Sequence, residues 1–263
     1  MPLSDYRRDS FTHAEITHDV FHRGTGPAVL VAPEIPGITP RVVEFADRLV
    51  ELGMAVAIPS MYGTPGADST APRAARVLVR SCVSREFHAF ALHDSAPATA
   101  WLRALARQVH EIHGGPGIGF VGMCFTGGFG LAMMLDDAVI AAVLSQPSQP
   151  LPVGAERKAS VGLDDAQLAA VAARAADGCP VLGLRFTNDP AVPAARFDTL
   201  RAALGDNFLY EEITSPDDST DPPVEKMAHS VLTEHLAPDD RPDHPTQLAL
   251  KHTLDFLSER LLG

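Results

Sequence analysis

Short, nearly unbroken apolar runs recur along the chain, separated by longer stretches in which apolar residues return at helical spacing. Ala28–Val31, Met54–Ile58, Ile118–Val121, Val139–Leu144 and Val181–Phe186 are runs of strand length bounded by Gly, Pro or polar residues, the pattern of strands buried on both faces. Phe208–Ile213 predicts one more strand. Between these runs, Arg41–Leu52 brings Val42, Phe45, Ala46 and Leu49 onto one helical face. Ser95–Val109, Asp165–Ala175, Pro193–Leu204 and Thr246–Leu262 repeat that pattern, and Pro193 and Gly205 suit a helix start and stop. Strand–helix alternation of this kind predicts an α/β fold, a mostly parallel central sheet with helices on both faces.

The chain departs from the pattern in three places. Phe11–His22 alternates in part like an edge hairpin, with His13, His18 and His22 expected to be exposed. Ser145–Gly154 and Ser215–Pro223 look like linkers. Helix–strand units continue beyond both, so they are expected to be loops or excursions within a single domain spanning residues 1–263. Val231–Leu236 has the pattern of a short helix.

Composition narrows the picture. Twenty glycines and 22 prolines in 263 residues fall short of the ~25–30% share that marks low-complexity chains. Lys plus Arg number 21 against 33 Asp plus Glu, a net charge of −12, which would repel nucleic-acid phosphates rather than gather them. The apolar runs are far below the ~20 residues of a membrane span, and no apolar stretch follows the arginines of the first residues. Cys82, Cys124 and Cys179 are too few and too widely spaced for a disulfide framework. A cytoplasmic protein acting on a small molecule is expected, with neither nucleic acid nor membrane as partner.

The sharpest chemical signal is Gly122-Met123-Cys124-Phe125-Thr126-Gly127-Gly128, placed between the strand Ile118–Val121 and a helix expected over Phe129–Leu135. A nucleophile between glycines at a strand-to-helix turn is the nucleophile-elbow arrangement. It lifts the thiol above the sheet edge, near a positive helix end that favours thiolate. It also presents the Phe125 N–H to a developing oxyanion. An acid and a histidine follow in the order such a triad needs: Asp189 directly after Val181–Phe186, and His229 after Phe208–Ile213. His235 is the alternative base. His110 and His113 lack a third ligand for a metal, and Gly114–Gly117 precedes a strand, so it is a turn rather than a phosphate cradle.

These residues carry a family resemblance. Ala32-Pro-Glu-Ile-Pro-Gly-Ile, Gly122-Met-Cys-Phe-Thr-Gly-Gly, Thr187-Asn-Asp-Pro-Ala-Val-Pro and Ala228-His-Ser together resemble the dienelactone hydrolase family of α/β-hydrolases. The resemblance implies a Cys124–His229–Asp189 triad that opens a small ester or lactone through a cysteine acyl-enzyme, of the dienelactone-to-maleylacetate type. No metal or organic cofactor is implied. It casts Glu34 as a carboxylate on the nucleophile that substrate displaces and that then helps deprotonate Cys124. Such a neighbour would by itself disfavour thiolate. Ile35 can offer a second oxyanion N–H, which Pro36 lacks. Arg80 and Arg85 are candidates to grip a substrate carboxylate. The chain departs from the family in having Thr126 where glycine is usual, to be accommodated by altered packing, and Val231 where phenylalanine is frequent. A long Pro147–Asp165 stretch suggests an added loop or lid. A general carboxylesterase or thioesterase, or a ligand-binding protein of hydrolase fold without turnover, are the alternatives, and oligomeric state is not legible.

Overall fold

The computed structural model describes residues 2–83 and 97–263; Arg85 lies outside the described residues. Among these residues eight strands form one sheet: β1 (Arg7–His13), β2 (Ile16–Arg23), β3 (Ala28–Ala32), β4 (Ala55–Pro59), β5 (Ile118–Met123), β6 (Val139–Ser145), β7 (Val181–Phe186) and β8 (Phe208–Ile213). Their spatial order is β1-β2-β4-β3-β5-β6-β7-β8. The β1–β2 and β2–β4 pairs are antiparallel and every later pair is parallel. All residues of β3, β4, β5 and β7 are buried, which is why these strands stand out as apolar runs instead of alternating.

Among the described residues eight α-helices accompany the strands: α1 (Pro40–Glu51), α2 (Ala71–Val83), α3 (Pro97–His113), α4 (Gly130–Met133), α5 (Gly154–Ala159), α6 (Asp165–Ala176), α7 (Ala194–Leu204) and α8 (Pro245–Leu261). Successive strand residues point to opposite faces. Leu30 and Ala32 therefore join a core with α3, α6 and α7, through Trp101, Val171 and Phe197. Val29 and Val31 join the opposite core, with Val42, Phe45 and Leu49 of α1 and Leu250 and Leu257 of α8. The α/β sandwich expected from the sequence is thus the observed one. Among the described residues no helix is long and apolar enough to cross a membrane.

Several expectations need correction. The edge hairpin is present, turning at Ala14 and Glu15 with both residues at positive φ, but His22 is buried and His13 and His18 are half-buried. Trp101 anchors the hairpin by donating to the Ile16 carbonyl at 3.1 Å. Residues 231–235 form turns rather than a helix. The helix after the elbow is a 3-10 turn, Thr126–Phe129, followed only by α4. The expected loop or lid contains α5, and the guanidinium of Arg196 on α7 fastens it. That group donates to the carbonyls of Pro147 (2.6 Å), Pro150 (2.6 Å), Arg157 (3.0 Å) and Ser160 (2.9 Å).

The topology positions the site. The chain runs from β3 to β4 on one side, then crosses to place β5 on the other side of β3. The carboxyl ends of β3 and β5 therefore flank the switch point where open α/β sheets form their crevices.

Candidate active site

Cys124 follows β5 at φ +54, a left-handed conformation that side chains larger than glycine adopt only where surroundings enforce it. Here its N–H donates to the Ser145 carbonyl at 2.9 Å. Its own carbonyl accepts from Gly127 (3.1 Å) and Ser148 (3.0 Å). The turn is thereby closed on itself and on the end of β6.

Thr126, where the resemblance leads one to expect glycine, is fully buried and is accommodated by hydrogen bonding rather than packing alone. Its hydroxyl accepts from the Met123 N–H (3.0 Å) and donates to the Ala32 carbonyl (2.8 Å), with the Pro33 carbonyl at 3.2 Å. Tyr62 also donates to the Pro33 carbonyl, and its ring lies edge-on to Phe125. The elbow is thus tied to the β3 end, whose next residues are Glu34 and Ile35. Burial, with the nearby Cys124 and Glu34, holds the Tyr62 phenol well above its ordinary range, keeping it a neutral donor.

Asp189 is buried in the turn after β7. Oδ1 accepts from the Ala191 N–H at 2.9 Å, and Oδ2 meets Nδ1 of His229 at 2.6 Å. Cys124 acts on His229 electrostatically from the elbow. Burial disfavours the charged imidazole, but Cys124 and Asp189 outweigh it and hold His229 well above its ordinary range. The structure therefore brings Cys124, His229 and Asp189 together, with Asp189 hydrogen-bonded to His229 and Cys124 acting on the same imidazole. His235, the alternative base, instead accepts on Nδ1 from the Ser230 N–H (3.1 Å) and, at longer range, from the His229 N–H (3.4 Å). Burial lowers its pKa, which suits this acceptor role.

Glu34 reaches the same sheet edge, but its hydrogen bonds do not go to the nucleophile. Its buried carboxylate accepts from Ser230 (2.5 Å), Thr233 and the Gln146 amide (3.2 Å). Burial pushes the carboxyl above the usual carboxylate range, against the Ser230 and Thr233 hydroxyls. Gln146, at φ +37, accepts in turn from the Val231 N–H at 3.2 Å. The β3, β6 and His229 loops are thus joined through one carboxylate.

Ile35 and Phe125 stand on the two segments that Thr126 ties together. Arg80 is exposed on α2, and among the described residues none of the hydrogen bonds or ion pairs of Cys124, Asp189, His229 or Glu34 involves it. No group of three or more His, Cys, Asp or Glu suited to a metal ion occurs among the described residues. An open groove of about 550 Å³ between α1 and residues 232–239 includes Thr233 but not Cys124, His229 or Asp189.

Sequence reasoning missed Ser148, Gln146 and Tyr62. The signal that could have found the first two is their place directly after β6, because residues following parallel strands crowd the carboxyl edge where ligands bind.

Residues 19–215 match the model of the dienelactone hydrolase family, a span that includes Glu34, Cys124 and Asp189 and ends before His229. No curated protein matches by sequence. Among solved structures, a candidate dienelactone hydrolase from Klebsiella pneumoniae subsp. pneumoniae MGH 78578 superposes with a TM-score of 0.60 at 19% identity, covering 97% of this chain and 98% of that one. The dienelactone hydrolase-like promiscuous phosphotriesterase P91 from metagenomic libraries gives 0.58 at 15% identity, with 97% and 98% covered. Est1E from Butyrivibrio proteoclasticus gives 0.58 at 15% identity, with 96% and 98% covered.

Proposed function

The chain belongs to the dienelactone hydrolase family of α/β-hydrolases, and from that premise we propose that it hydrolyses a small ester or lactone through an acyl-enzyme on Cys124. The observation that carries this reading is the hydrogen-bonded His229–Asp189 pair together with Cys124 at a left-handed elbow that acts on the same imidazole. The Cys124 sulfur attacks the carbonyl carbon and forms the S–C bond. The carbonyl electron pair moves to oxygen, where the Phe125 and Ile35 amides supply oxyanion donors. As the tetrahedral species collapses, the C–O bond breaks and imidazolium His229 gives its proton to the departing alkoxide. In a lactone that alkoxide stays tethered to the acyl group. Water, deprotonated by His229, then attacks the thioester and expels the thiolate. Asp189 fixes the imidazole tautomer and stabilises its charged form throughout. The scheme calls on no metal or organic cofactor.

Glu34 is the proposed acceptor of the Cys124 proton once substrate is bound, and returns it to the sulfur after the thiolate is expelled. In that role it starts from a nest of hydroxyl and amide donors rather than from the sulfur. Arg80 and Arg85 are proposed to grip a substrate carboxylate. A dienelactone-type substrate is favoured by family membership, with a short-chain ester or thioester as the alternative.

The test is a panel of lactones, nitrophenyl esters and thioesters on the purified protein, with mass-spectrometric trapping of the acyl-enzyme. Cys124→Ala is expected to lower turnover by at least about three orders of magnitude while leaving the fold intact. Near-normal rates would sink the mechanism. Turnover of nitrophenyl esters but not dienelactone would identify a general esterase, and no acylation with any substrate would leave a binding protein.

A further inference from the structure

Ser148 lies in the connection after β6 and is buried, with Oγ 3.4 Å from Sγ of Cys124. Three independent features hold it there. Its backbone N–H donates to the Cys124 carbonyl at 3.0 Å. Arg196 grips the carbonyls of Pro147 and Pro150 on either side, both at 2.6 Å. Gly127 and Gly128 leave the room the connection occupies. A Cβ on Gly127 would lie 2.8 Å from the Ser145 carbonyl and 3.0 Å from Cα of Pro147, and one on Gly128 would lie 2.2 Å from Cβ of Gln149. The glycine pair thus admits the segment that carries Ser148 onto the thiol.

We propose that Ser148 is a further catalytic residue, whose hydroxyl donates a hydrogen bond to the Cys124 sulfur and holds it as an aligned thiolate for attack. The inference rests on the reading of Cys124 as the nucleophile. A thiolate has no proton to give, so in the ion pair with charged His229 the Ser148 hydroxyl is the donor of this bond. The imidazolium of His229 is the second, charged partner of the sulfur in this proposal. The thiolate then has two donors, one charged and mobile in its proton, the other neutral and fixed by backbone. When the S–C bond forms, the negative charge leaves sulfur for the carbonyl oxygen. The Ser148 bond weakens and its proton stays on Oγ throughout. When the thioester collapses and thiolate is expelled, the same hydroxyl receives the leaving sulfur. Ser148 thereby acts at both ends of the cycle without exchanging an atom.

Ser148→Ala removes the hydroxyl and keeps the backbone N–H that anchors the segment, and Ser148→Thr keeps both. The experiment measures three things for wild type and both variants: the iodoacetamide alkylation rate of Cys124 at neutral pH, kcat and KM on the best substrate of the panel, and the position of the trapped acyl group by peptide fragmentation. Ser148→Ala is expected to alkylate roughly tenfold more slowly and to lose roughly ten- to a hundredfold in kcat with KM little changed, as for a hydrogen bond to a charged group. Ser148→Thr should recover most of both. An acyl group on Cys124 with Ser148→Ala alkylating and turning over like wild type would overturn the proposal while leaving the nucleophile intact. An acyl group on Ser148 itself would overturn both. Absence of acylation at Cys124 in the wild type would remove the nucleophile reading, a result distinct from either.

Discussion

A carboxylate oxygen hydrogen-bonded to an imidazole nitrogen at 2.6 Å both orients the ring and stabilises its charge, and Asp189 is buried where little solvent screens either effect. His229 is held well above its ordinary range by Cys124 and Asp189 against the opposing pull of burial, so the imidazolium persists below that raised value and is lost as pH climbs through it. Asp189→Asn removes one of the two charges. Its kcat is expected to fall by roughly two to four orders of magnitude with little change in KM. The alkaline limb of its pH–rate profile should also move to lower pH. A limb that stays in place would show that Cys124 alone sets the imidazole's charge. Cys124, Asp189 and His229 were legible in the sequence because each is a residue of specific chemistry directly beyond a strand, or in the expected chain order. Ser148, Gln146 and Tyr62 were not. Each is an ordinary polar residue whose meaning depends on which strand ends lie side by side.

At the level of elements, β7 and β8 coincide with the apolar runs that foretold them, and β3 to β6 differ by a residue or two at their ends. Full burial on both faces gives β3, β4, β5 and β7 a signal that depends on no partner. The connection from β6 to α6 carried no comparable signal. Its length suggests an added loop or lid, while the residue that fastens it, Arg196, sits on α7 and looks in sequence like any polar helix position. Likewise residues 231–235 have helical spacing but spend their polar groups elsewhere: Thr233 on Glu34, and the His235 ring on the Ser230 amide. Arg196 is buried, which pushes its pKa down to about 10, and its partners are carbonyls rather than a carboxylate. Arg196→Lys keeps a cation but not the planar fork that spans several acceptors. Leaving buried carbonyls unpaired should lower stability by about 2 kcal/mol or more, seen as a Tm fall of at least ~4 °C in a chain of this size. Because Ser148 rides on the same segment, alkylation of Cys124 should slow in the same variant. A stable Arg196→Lys protein with normal alkylation would show that the turn at Cys124 holds Ser148 unaided.

Over the whole molecule, one carboxylate links three loops at the edge of the sheet, and its burial sets function against stability. Glu34 joins the β3 end to Gln146 after β6 and to Ser230 and Thr233 in the loop of His229. Burial raises its pKa in the folded protein, and the hydroxyl bonds offset this only in part. The folded state therefore holds a proton on Glu34 more tightly than the unfolded chain does. Stability linked to this group is fully present below the unfolded carboxyl pKa and is lost as pH rises through the raised folded value. Above the unfolded carboxyl pKa, burial of this group is a standing cost to stability within a chain already carrying −12. Glu34→Gln removes the charge, keeps a carbonyl acceptor for Ser230 or Thr233, and offers an amide that either hydroxyl oxygen can accept. The variant is expected to melt higher than wild type at neutral pH by roughly 2–4 °C, which corresponds to about 1 kcal/mol in a chain of this length. The gap should close on acidification as wild-type Glu34 takes up its proton. Turnover should fall in the same variant, because an amide cannot accept the proton of Cys124. Melting curves across pH, paired with kcat, separate the two roles. A variant less stable than wild type at neutral pH would mean that the hydrogen bonds to the charged carboxylate outweigh its burial. A more stable variant with undiminished kcat would leave Glu34 a structural clasp with no part in moving the thiol proton.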